Sequence, residues 1–438
     1  MSRARRATRP RAHRRAVKTA WERIKEHPLA RVGPGLITGV ADDDPSGIAT
    51  YSQAGAQFGF AMLWTMPLAF PLMGAVQSMC ARIGRVTGKG LAANIKTALP
   101  PIVLQVVVLL LLIANILNIA ADVAAMGETA ELVTGIDRHA LTLVFVLVTV
   151  VLQVFVPYHR YVYFLKWLTL SLLSYVAVLF TVHVPWGEVL LRTISPQLTL
   201  DADAATVVVG VFGTTISPYL FFWQASEEVE DMQKGHRRAP PLMRDRRAAG
   251  RELRRIGWDT WSGMFYSNII AYFIILATAV TLNRAGVNDI ATAAQAASAL
   301  RPLAGDFAFI LFALGILGVG LIGVPVLAGS GAYAMCEAMG WKWGLERKAT
   351  NARGFYGVIA ASVLLGLVIQ YSPISPMKAL FWSAVINGIV AVPLLAVIVI
   401  LVSKKSVMGH YTASWPIVVL GWIATLVMGA ATVRMFMP

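Results

Sequence analysis

The chain has 438 residues, of which 57% are hydrophobic and 14% are charged. A soluble domain usually has about 25% charged residues, so this composition argues against a soluble enzyme. Apolar runs such as 101–119 and 382–402 reach the roughly 20 residues that a helix needs to cross the hydrocarbon of a membrane. The sequence therefore predicts an all-α integral membrane protein. Membrane topology accounts for the net charge of +15 without nucleic-acid binding.

Eleven apolar segments are long enough to be transmembrane helices. Lys and Arg number 32 on the side of the N-terminus and 6 on the other side. The positive-inside rule then predicts a multi-pass protein of the cell membrane, with a cytoplasmic N-terminus and an extracytoplasmic C-terminus. The approximate limits of the segments are 34–59, 61–83, 100–125, 139–156, 161–184, 203–225, 258–282, 305–335, 354–372, 378–402 and 413–433.

The first apolar segment is interrupted at its middle by three carboxylates, a proline and a glycine. Pro45 lacks a backbone donor and disfavours helix at Asp44, and Gly47 relaxes the backbone further. Charged side chains in a membrane segment are costly unless they face water or a ligand. We expect a broken helix whose carboxylates and carbonyls face a cavity. The alternative is an extramembrane turn that caps a shorter helix.

The sixth segment has a matching interruption, between Gly213 and Pro218. Segments one and six are five apart, which is typical of two inverted repeats of five helices whose first helices are both broken. We expect a basic cytosolic tail at 1–31 and a transmembrane domain at 32–438. Within that domain, the repeats span about 32–185 and 203–402, and a peripheral helix 11 spans about 413–433.

Several sequence stretches together resemble the NRAMP family of divalent metal transporters, over about 33–421. The resemblance implies a LeuT-type fold with 11 transmembrane helices and no resident cofactor. It also implies a divalent metal ion as substrate, a lipid bilayer as surroundings and a monomeric transport unit. The stretches that are similar to the family are Gly33–Gly39, Asp44–Gly47, Ser52–Gly59, Ala81–Leu91 and Ala120–Ala124.

The resemblance also indicates which residues would bind the metal. Asp44 carries over directly, and Asp43 beside it is a further candidate. Gly47 stands where the family has an Asn ligand and has no side chain to coordinate. Ser217 stands where the family has a Met ligand, and the backbone carbonyl donor falls at Thr214.

These departures favour a hard cation. A thioether favours transition metals, whereas carboxylate, carbonyl, hydroxyl and water suit Mg²⁺, Ca²⁺ and Mn²⁺. Mg²⁺ keeps several waters and binds through one or two carboxylates. The pattern resembles the NRAMP-related magnesium transporter branch, and Mn²⁺ should also pass.

Coupling to protons is expected to be weak or absent. Asp122 keeps one acidic position of the family's proton route, but two other acidic positions fall on Asn115 and Ala125. The two histidine positions of segment six are Tyr219 and Gln224. Three of these replacements, Asn115, Tyr219 and Gln224, cannot titrate near neutral pH. The ion gradient and the membrane potential would then drive the flux.

Several of these residues also have purely structural interpretations. Asp122 is either a buried carboxylate hydrogen-bonded to Asn118 or part of a proton route. Asn387 either reaches the cavity or makes an interhelical hydrogen bond. Ser217 either ligates the ion, directly or through water, or bonds to its own helix.

Three functions remain open at this stage. The leading prediction is a divalent metal transporter, most simply of Mg²⁺, with a proton-coupled Mn²⁺/Fe²⁺ symporter as its alternative. An organic-solute transporter on the same scaffold is less favoured, because Asp42–Asp44 would repel a carboxylate. Asp42 and Asp43 are expected to line an outer vestibule, or one of them to cap a helix. A third class, a membrane sensor or scaffold, lacks any supporting domain.

Overall fold

A computed structural model describes residues 34–156, 165, 168–196, 201–233, 240–244, 249–345, 347–369, 371 and 373–437. All regular secondary structure within these ranges is helical, which confirms the predicted all-α class. The tail predicted at 1–31 lies outside the described residues.

The longer helices of the described part are numbered in chain order. Those of eight or more residues are α1 (Pro34–Asp42), α2 (Pro45–Phe58), α3 (Thr65–Thr87), α4 (Leu91–Ala98), α5 (Pro101–Thr134), α6 (Arg138–Phe155), α7 (Trp186–Ile194), α8 (Ala202–Thr215), α9 (Pro218–Gln233), α10 (Ala249–Thr278), α11 (Ala308–Met339), α12 (Arg353–Ile369), α13 (Pro376–Ser403) and α14 (Trp415–Met435). Shorter helical segments are Gly59–Met62, Leu168–Leu173, Ser174–Val178, Ala279–Asn283, Ala293–Ala297, Ser298–Leu300, Arg301–Ala304, Gly305–Phe307, Ala349–Asn351 and Lys405–Met408.

Many of these helices have the length and hydropathy of membrane spans. Within the described residues, seven qualify singly, and α12 is a shorter apolar helix. Pro45–Met62 and Thr65–Thr87 qualify together but are bent by 113° at the break between them. The number of eleven spans stays a prediction, because the helices described in the fifth segment, Leu168–Leu173 and Ser174–Val178, are too short to qualify as a span. The seven are Pro101–Thr134, Arg138–Phe155, Ala202–Gln233, Ala249–Asn283, Ala293–Met339, Pro376–Ser403 and Trp415–Met435.

The helices extend further than hydropathy predicts. α10 begins at Ala249, nine residues before the predicted start of its span, and α9 continues to Gln233. The predicted limits 203–225 and 258–282 are therefore too short on the sides that face each other. The physical reason is that hydropathy detects only the apolar part of a helix. Here polar turns are held in helix by ion pairs such as Glu228–Arg255.

The two predicted breaks are confirmed. α1 ends at Asp42 and α2 begins at Pro45, and α8 ends at Thr215 and α9 begins at Pro218. In both places a proline opens the second half, where its missing N–H costs no helical hydrogen bond. Each break therefore leaves two residues of non-helical backbone between two halves of a helix.

Small residues allow the helices next to the breaks to approach closely. α1 packs against α10, and a Cβ on Gly39 would overlap the backbone of Gly263. α8 packs against α13, where Gly213 meets Gly388 in the same way. Such contacts are typical of membrane helices, which gain little from burying apolar side chains against one another.

The broken helix pair α8–α9 lies at the centre of the molecule, and α14 lies at its edge. Of the most apolar stretch of Ala202–Gln233, 89% is buried, against 17% for Trp415–Met435. This agrees with the prediction that the eleventh span is peripheral. The first break packs beside the second, since α2 contacts both α8 and α13.

Candidate functional site

The carboxylate of Asp44 lies at the first break and is fully held by hydrogen bonds. It caps α2, accepting from the backbone N–H of Gly47 at 2.8 Å and from the hydroxyl of Ser46 at 2.6 Å, both at Oδ1. Its Oδ2 accepts from Asn118 Nδ2 at 3.0 Å and from the Tyr219 hydroxyl at 3.2 Å. Asp44 is therefore both the N-cap of α2 and the carboxylate that the sequence predicts as a metal ligand.

Tyr219 joins the two breaks. Its hydroxyl lies 3.0 Å from the carbonyl of Ala41, at the end of α1, and 3.2 Å from Oδ2 of Asp44. Tyr219 is the second residue of α9, so the end of one broken span is hydrogen-bonded to the start of the other half-helix. The side chain is completely buried.

Asn118 connects Asp44 with both of the further residues that the sequence singles out. Its amide nitrogen donates to Asp44 Oδ2 and, at 3.3 Å, to Asp122 Oδ2. Its carbonyl oxygen accepts from Asn387 Nδ2 at 3.3 Å. The structural interpretations of Asp122 and Asn387, hydrogen bonding to Asn118 and between helices, are thus both present. Through the same amide, both residues are linked to the break.

Gly47 faces Thr214 across the two breaks. A Cβ built on Gly47 would lie 3.1 Å from Thr214 Oγ1 and 3.6 Å from the carbonyl oxygen of Asp42. The first break and the end of α8 therefore approach closely at Gly47, and any side chain there enters only if Thr214 Oγ1 shifts by a few tenths of an ångström. The structure brings together the two positions that the sequence predicts.

The hydroxyl of Ser217 turns toward its own helix. Ser217 Oγ donates toward the carbonyls of Gly213 at 2.8 Å and Thr214 at 2.7 Å. The Thr214 carbonyl, which is the predicted backbone ligand, thus faces the Ser217 hydroxyl. Of the alternatives for Ser217, the structure shows the bond to its own helix, and the oxygen keeps lone pairs of its own.

Asp42 and Asp43 do not line an open vestibule, contrary to expectation. Both are buried, because α1 and the break pack against α10. Ser267 of α10 donates toward Asp42 Oδ2 in a very short contact and toward Asp43 Oδ1 at 3.0 Å. Asp42 Oδ1 and Asp43 Oδ2 are buried without a hydrogen-bond partner among the described residues. The break therefore has three buried carboxylates, and two of them each have one oxygen that no described residue hydrogen-bonds.

A local pattern links Asn118 to Asp122, whereas no local pattern indicates Ser267. Asn118 precedes Asp122 by four residues on α5, so both lie on the same face of that helix. Ser267 lies more than two hundred residues from Asp42, and no short-range pattern links them. Only the packing of α10 on α1 brings its hydroxyl to the carboxylates.

On the N-terminal side of the first break, α1 is hydrogen-bonded to α9. The Thr38 hydroxyl donates to Gln224 Oε1 at 2.5 Å, and both side chains are buried. One turn further, Glu228 is ion-paired with Arg255 of α10 at 2.7 Å. Polar contacts therefore hold α1, α9 and α10 together on this side of the first break.

The break as a whole offers oxygen atoms rather than soft ligands. Carboxylates, carbonyls and a hydroxyl converge around Asp44, and oxygen ligands suit hard divalent cations. Within the described residues, no group of three or more His, Cys, Asp or Glu side chains is arranged to hold a metal ion. Cys80 and Cys336 are both buried and unpaired.

Comparison with known sequences shows one family along almost the whole chain. Residues 35–438 match the family described as Nramp, natural resistance-associated macrophage protein-like. The divalent metal cation transporter MntH of Acidiphilium cryptum is 27% identical over 395 residues, which is 85% of each chain. The MntH protein of Agrobacterium fabrum is 26% identical over 425 residues, which cover 93% of this chain and 87% of that protein.

Solved structures show the same fold. The manganese transporter of Eremococcus coleocola superposes with a TM-score of 0.71 at 16% identity, covering 92% of this chain and 85% of the other. Mhp1, a nucleobase-cation-symport-1 family transporter, gives a TM-score of 0.57 at 14% identity and covers 92% of both chains. These likenesses confirm the predicted LeuT-type fold. With its sequence match over residues 35–438, the chain belongs to the Nramp family.

Proposed function

We propose that the chain moves a divalent metal cation across the membrane, with Mg²⁺ as the preferred ion and Mn²⁺ also accepted. The observation that carries this proposal is the buried Asp44 carboxylate at the break of one helix, beside the break of a second. A buried carboxylate inside a membrane segment is costly without a partner cation or water, so its position indicates a function. The named relatives, which are divalent metal cation transporters, support the same class of substrate.

The choice of Mg²⁺ rests on the ligands around Asp44. Glycine at position 47 removes a side-chain ligand, and Ser217 offers oxygen where a family thioether would offer sulfur. A site with few protein ligands, all of them oxygen, suits an ion that keeps part of its water shell. Mg²⁺ keeps part of its water shell when it binds, since it dehydrates reluctantly and binds through few carboxylates.

We further propose that the metal moves without a stoichiometric proton. Tyr219 and Gln224, at the family's two histidine positions, make hydrogen bonds to Asp44 and Thr38 instead of offering titratable imidazoles. The potential alone supplies roughly 2.3 kcal/mol per charge per 100 mV, so a divalent ion gains about twice that. On this proposal the N-terminus is cytoplasmic and one chain is the transport unit.

One alternative has an observation in its favour. The solved neighbour from Eremococcus coleocola is named a manganese transporter, which favours Mn²⁺ over Mg²⁺ as substrate. A proton-coupled Mn²⁺/Fe²⁺ symporter would use Asp122, which reaches Asp44 through Asn118. An organic anion is disfavoured, because Asp42, Asp43 and Asp44 are crowded at the break.

The proposal is tested by ion flux into proteoliposomes. Purified protein is reconstituted with a Mg²⁺-sensitive dye inside, and Mg²⁺, Mn²⁺ and Ca²⁺ are added outside at two pH values. A pH-sensitive dye in parallel vesicles reports protons. We expect Mg²⁺ and Mn²⁺ uptake that depends on an imposed potential, with no matching acidification.

Three results would contradict parts of the proposal separately. Absence of any divalent flux would reject transport of these ions. Flux of Mn²⁺ without Mg²⁺ would support the alternative substrate. Acidification in fixed proportion to metal uptake would reject the uncoupled mechanism.

A further inference from the structure

A pocket lies between α2 and the start of α13, further along α2 than the Asp44 break. It encloses about 160 Å³ and is lined from α2 by Ala49, Gln53 and Gln57. From α13 it is lined by residues that include Lys378 and Phe381. A cation with an inner shell of about six waters, each about 30 Å³ in the liquid, is of comparable size.

The pocket and the break are separated by a thin layer of side chains. Ala49 follows Pro45 by one helical turn, so the floor of the pocket lies about 6 Å along α2 from the break. A Cβ on Gly210 of α8 would lie 3.3 Å from Thr50 and 3.4 Å from the ring of Phe381. Phe381 and Thr50 thus close the space between three helices just above the break.

A connecting segment forms part of the pocket wall and is fixed to α2. Gln53 Nε2 donates to the carbonyl of Asn288 at 3.1 Å, and its Oε1 accepts from the N–H of Ile290 at 2.9 Å. Gln53 also donates to Gln57 at 3.0 Å. The amides of α2 therefore hold this segment beside the opening, on the side for which topology predicts the extracytoplasmic face.

The two charged residues of the pocket form an ion pair at its mouth. Lys378 Nζ lies 3.0 Å from Asp289 Oδ2, and the two side chains are 47% and 67% exposed. Such an exposed pair contributes little to stability. The pair has a larger effect on ion entry than on stability. Because one positive and one negative charge lie together at the opening, the electrostatic potential that an approaching cation meets there is close to zero.

We propose that this pocket is the outer chamber of the cation route, and that the Asp289–Lys378 pair at its mouth sets how readily divalent cations enter it. The inference rests on the proposed function and adds residues outside the Asp44 break. In the resting pair, Lys378 masks the charge of Asp289. A cation that approaches Asp289 competes with the ammonium group for the carboxylate.

The charge of the mouth is tested first by uptake kinetics at low ionic strength. Lys378→Gln unmasks Asp289 and should lower the half-saturating Mg²⁺ concentration by roughly three- to tenfold, with little change in maximal rate. Asp289→Asn leaves the charge of Lys378 without a partner and should raise the half-saturating Mg²⁺ concentration by a similar factor. The double variant should return close to the parent, and about 0.5 M salt should shrink both single effects.

Lys378→Arg is the matched control, since it keeps the charge and should keep the parent kinetics. Half-saturating concentrations within twofold of the parent in both single variants, at normal maximal rates, would overturn the inference.

A second measurement does not depend on transport. Gln57→Cys places a thiol in the pocket, and the native Cys80 and Cys336 are buried. Membrane-impermeant thiosulfonates of positive and negative charge are applied from outside the cell. Adding Lys378→Gln should raise the ratio of cationic to anionic labelling rates at least threefold.

The two measurements separate failure of the inference from failure of the proposed function. An unchanged labelling ratio, or a thiol that outside reagents do not reach, overturns the outer chamber even if Mg²⁺ is transported. A raised ratio in a protein without divalent flux would support the charged chamber and reject the proposed function.

Discussion

The hydroxyl of Tyr219 lies 3.2 Å from Oδ2 of Asp44, so the second half of one broken helix contacts the break of the other. The same hydroxyl lies 3.0 Å from the carbonyl of Ala41. Any movement of α9 relative to α1 must therefore change the surroundings of the Asp44 carboxylate. The proposed binding of metal at Asp44 would therefore be linked to movement of α9 through this one side chain.

Removing the Asp44 carboxylate should abolish divalent flux while the protein still folds. Asp44→Ala deletes a helix cap, which costs about 0.5–2 kcal/mol, and the proposed ligand. Asp137→Ala is the matched control, since Asp137 caps α6 by accepting from Ala140 N–H at 3.0 Å. Thermal unfolding and proteoliposome flux are measured for both. Flux retained in Asp44→Ala would refute the role of this residue.

Removing one hydroxyl should weaken the contact between the breaks. Tyr219→Phe keeps the buried ring but removes the donor to the Ala41 carbonyl and one of the four donors to the Asp44 carboxylate, at a cost of about 1–3 kcal/mol in unfolding free energy. We expect a lower melting temperature and an altered half-saturating Mg²⁺ concentration. Tyr356→Phe, whose hydroxyl lies 3.0 Å from the carbonyl of Arg347, should change stability alone. Equal transport kinetics in parent and Tyr219→Phe would show that the contact is only structural.

Restoring the two ligands of the family should change ion selectivity. Gly47→Asn with Ser217→Met adds an amide and a thioether beside Asp44, and sulfur favours softer ions. The new Cβ at position 47 must displace Thr214 Oγ1, 3.1 Å away, by a few tenths of an ångström. We expect the preference for Mn²⁺ and Cd²⁺ over Mg²⁺ to rise about tenfold in competition flux.

Gly47→Ala with Ser217→Ala controls for packing at the same two positions, because it adds volume without a ligand. The same selectivity in the parent and in the Asn/Met variant would contradict the assignment of these positions to the metal site.

Breaking the ion pair below the site should destabilise the fold more than breaking a surface pair. Arg255→Ala leaves Glu228 buried without its 2.7 Å partner, at a cost of about 1–3 kcal/mol because Arg255 is itself part-exposed. Adding Glu228→Gln should recover part of that loss. Arg192→Ala is the control, since its partner Glu188, 3.9 Å away, is half exposed whereas Glu228 is buried. Thermal unfolding in detergent measures all four proteins, and equal losses for both arginine variants would contradict the assignment.

Much of the architecture could be predicted from the sequence because membrane constraints are local. Hydropathy predicts where helices lie, because an apolar segment in lipid must pair its own backbone groups and therefore forms a helix. Pro45 and Pro218 gave both breaks, because proline cannot continue a helix at the preceding residue. Helix ends were less accurate, as with α10, since hydropathy does not detect polar helical turns held by ion pairs.

The site could be predicted only in part. Asp44 was found because a carboxylate in an apolar segment stands out, and Gly47, Thr214 and Ser217 followed from a family resemblance. The burial of Asp42 and Asp43 was missed, because it depends on how α1 packs against α10.

The sequence by itself therefore determined the family, the membrane class and the carboxylate at the broken helix, since all three follow from residues close together in the chain. Only the tertiary structure decided what holds that carboxylate. Asn118 and Tyr219 lie 74 and 175 residues from Asp44, and Ser267 lies 224 residues from Asp43. Contacts at such separations arise when helices pack, and no local pattern of polarity encodes which side chains will meet.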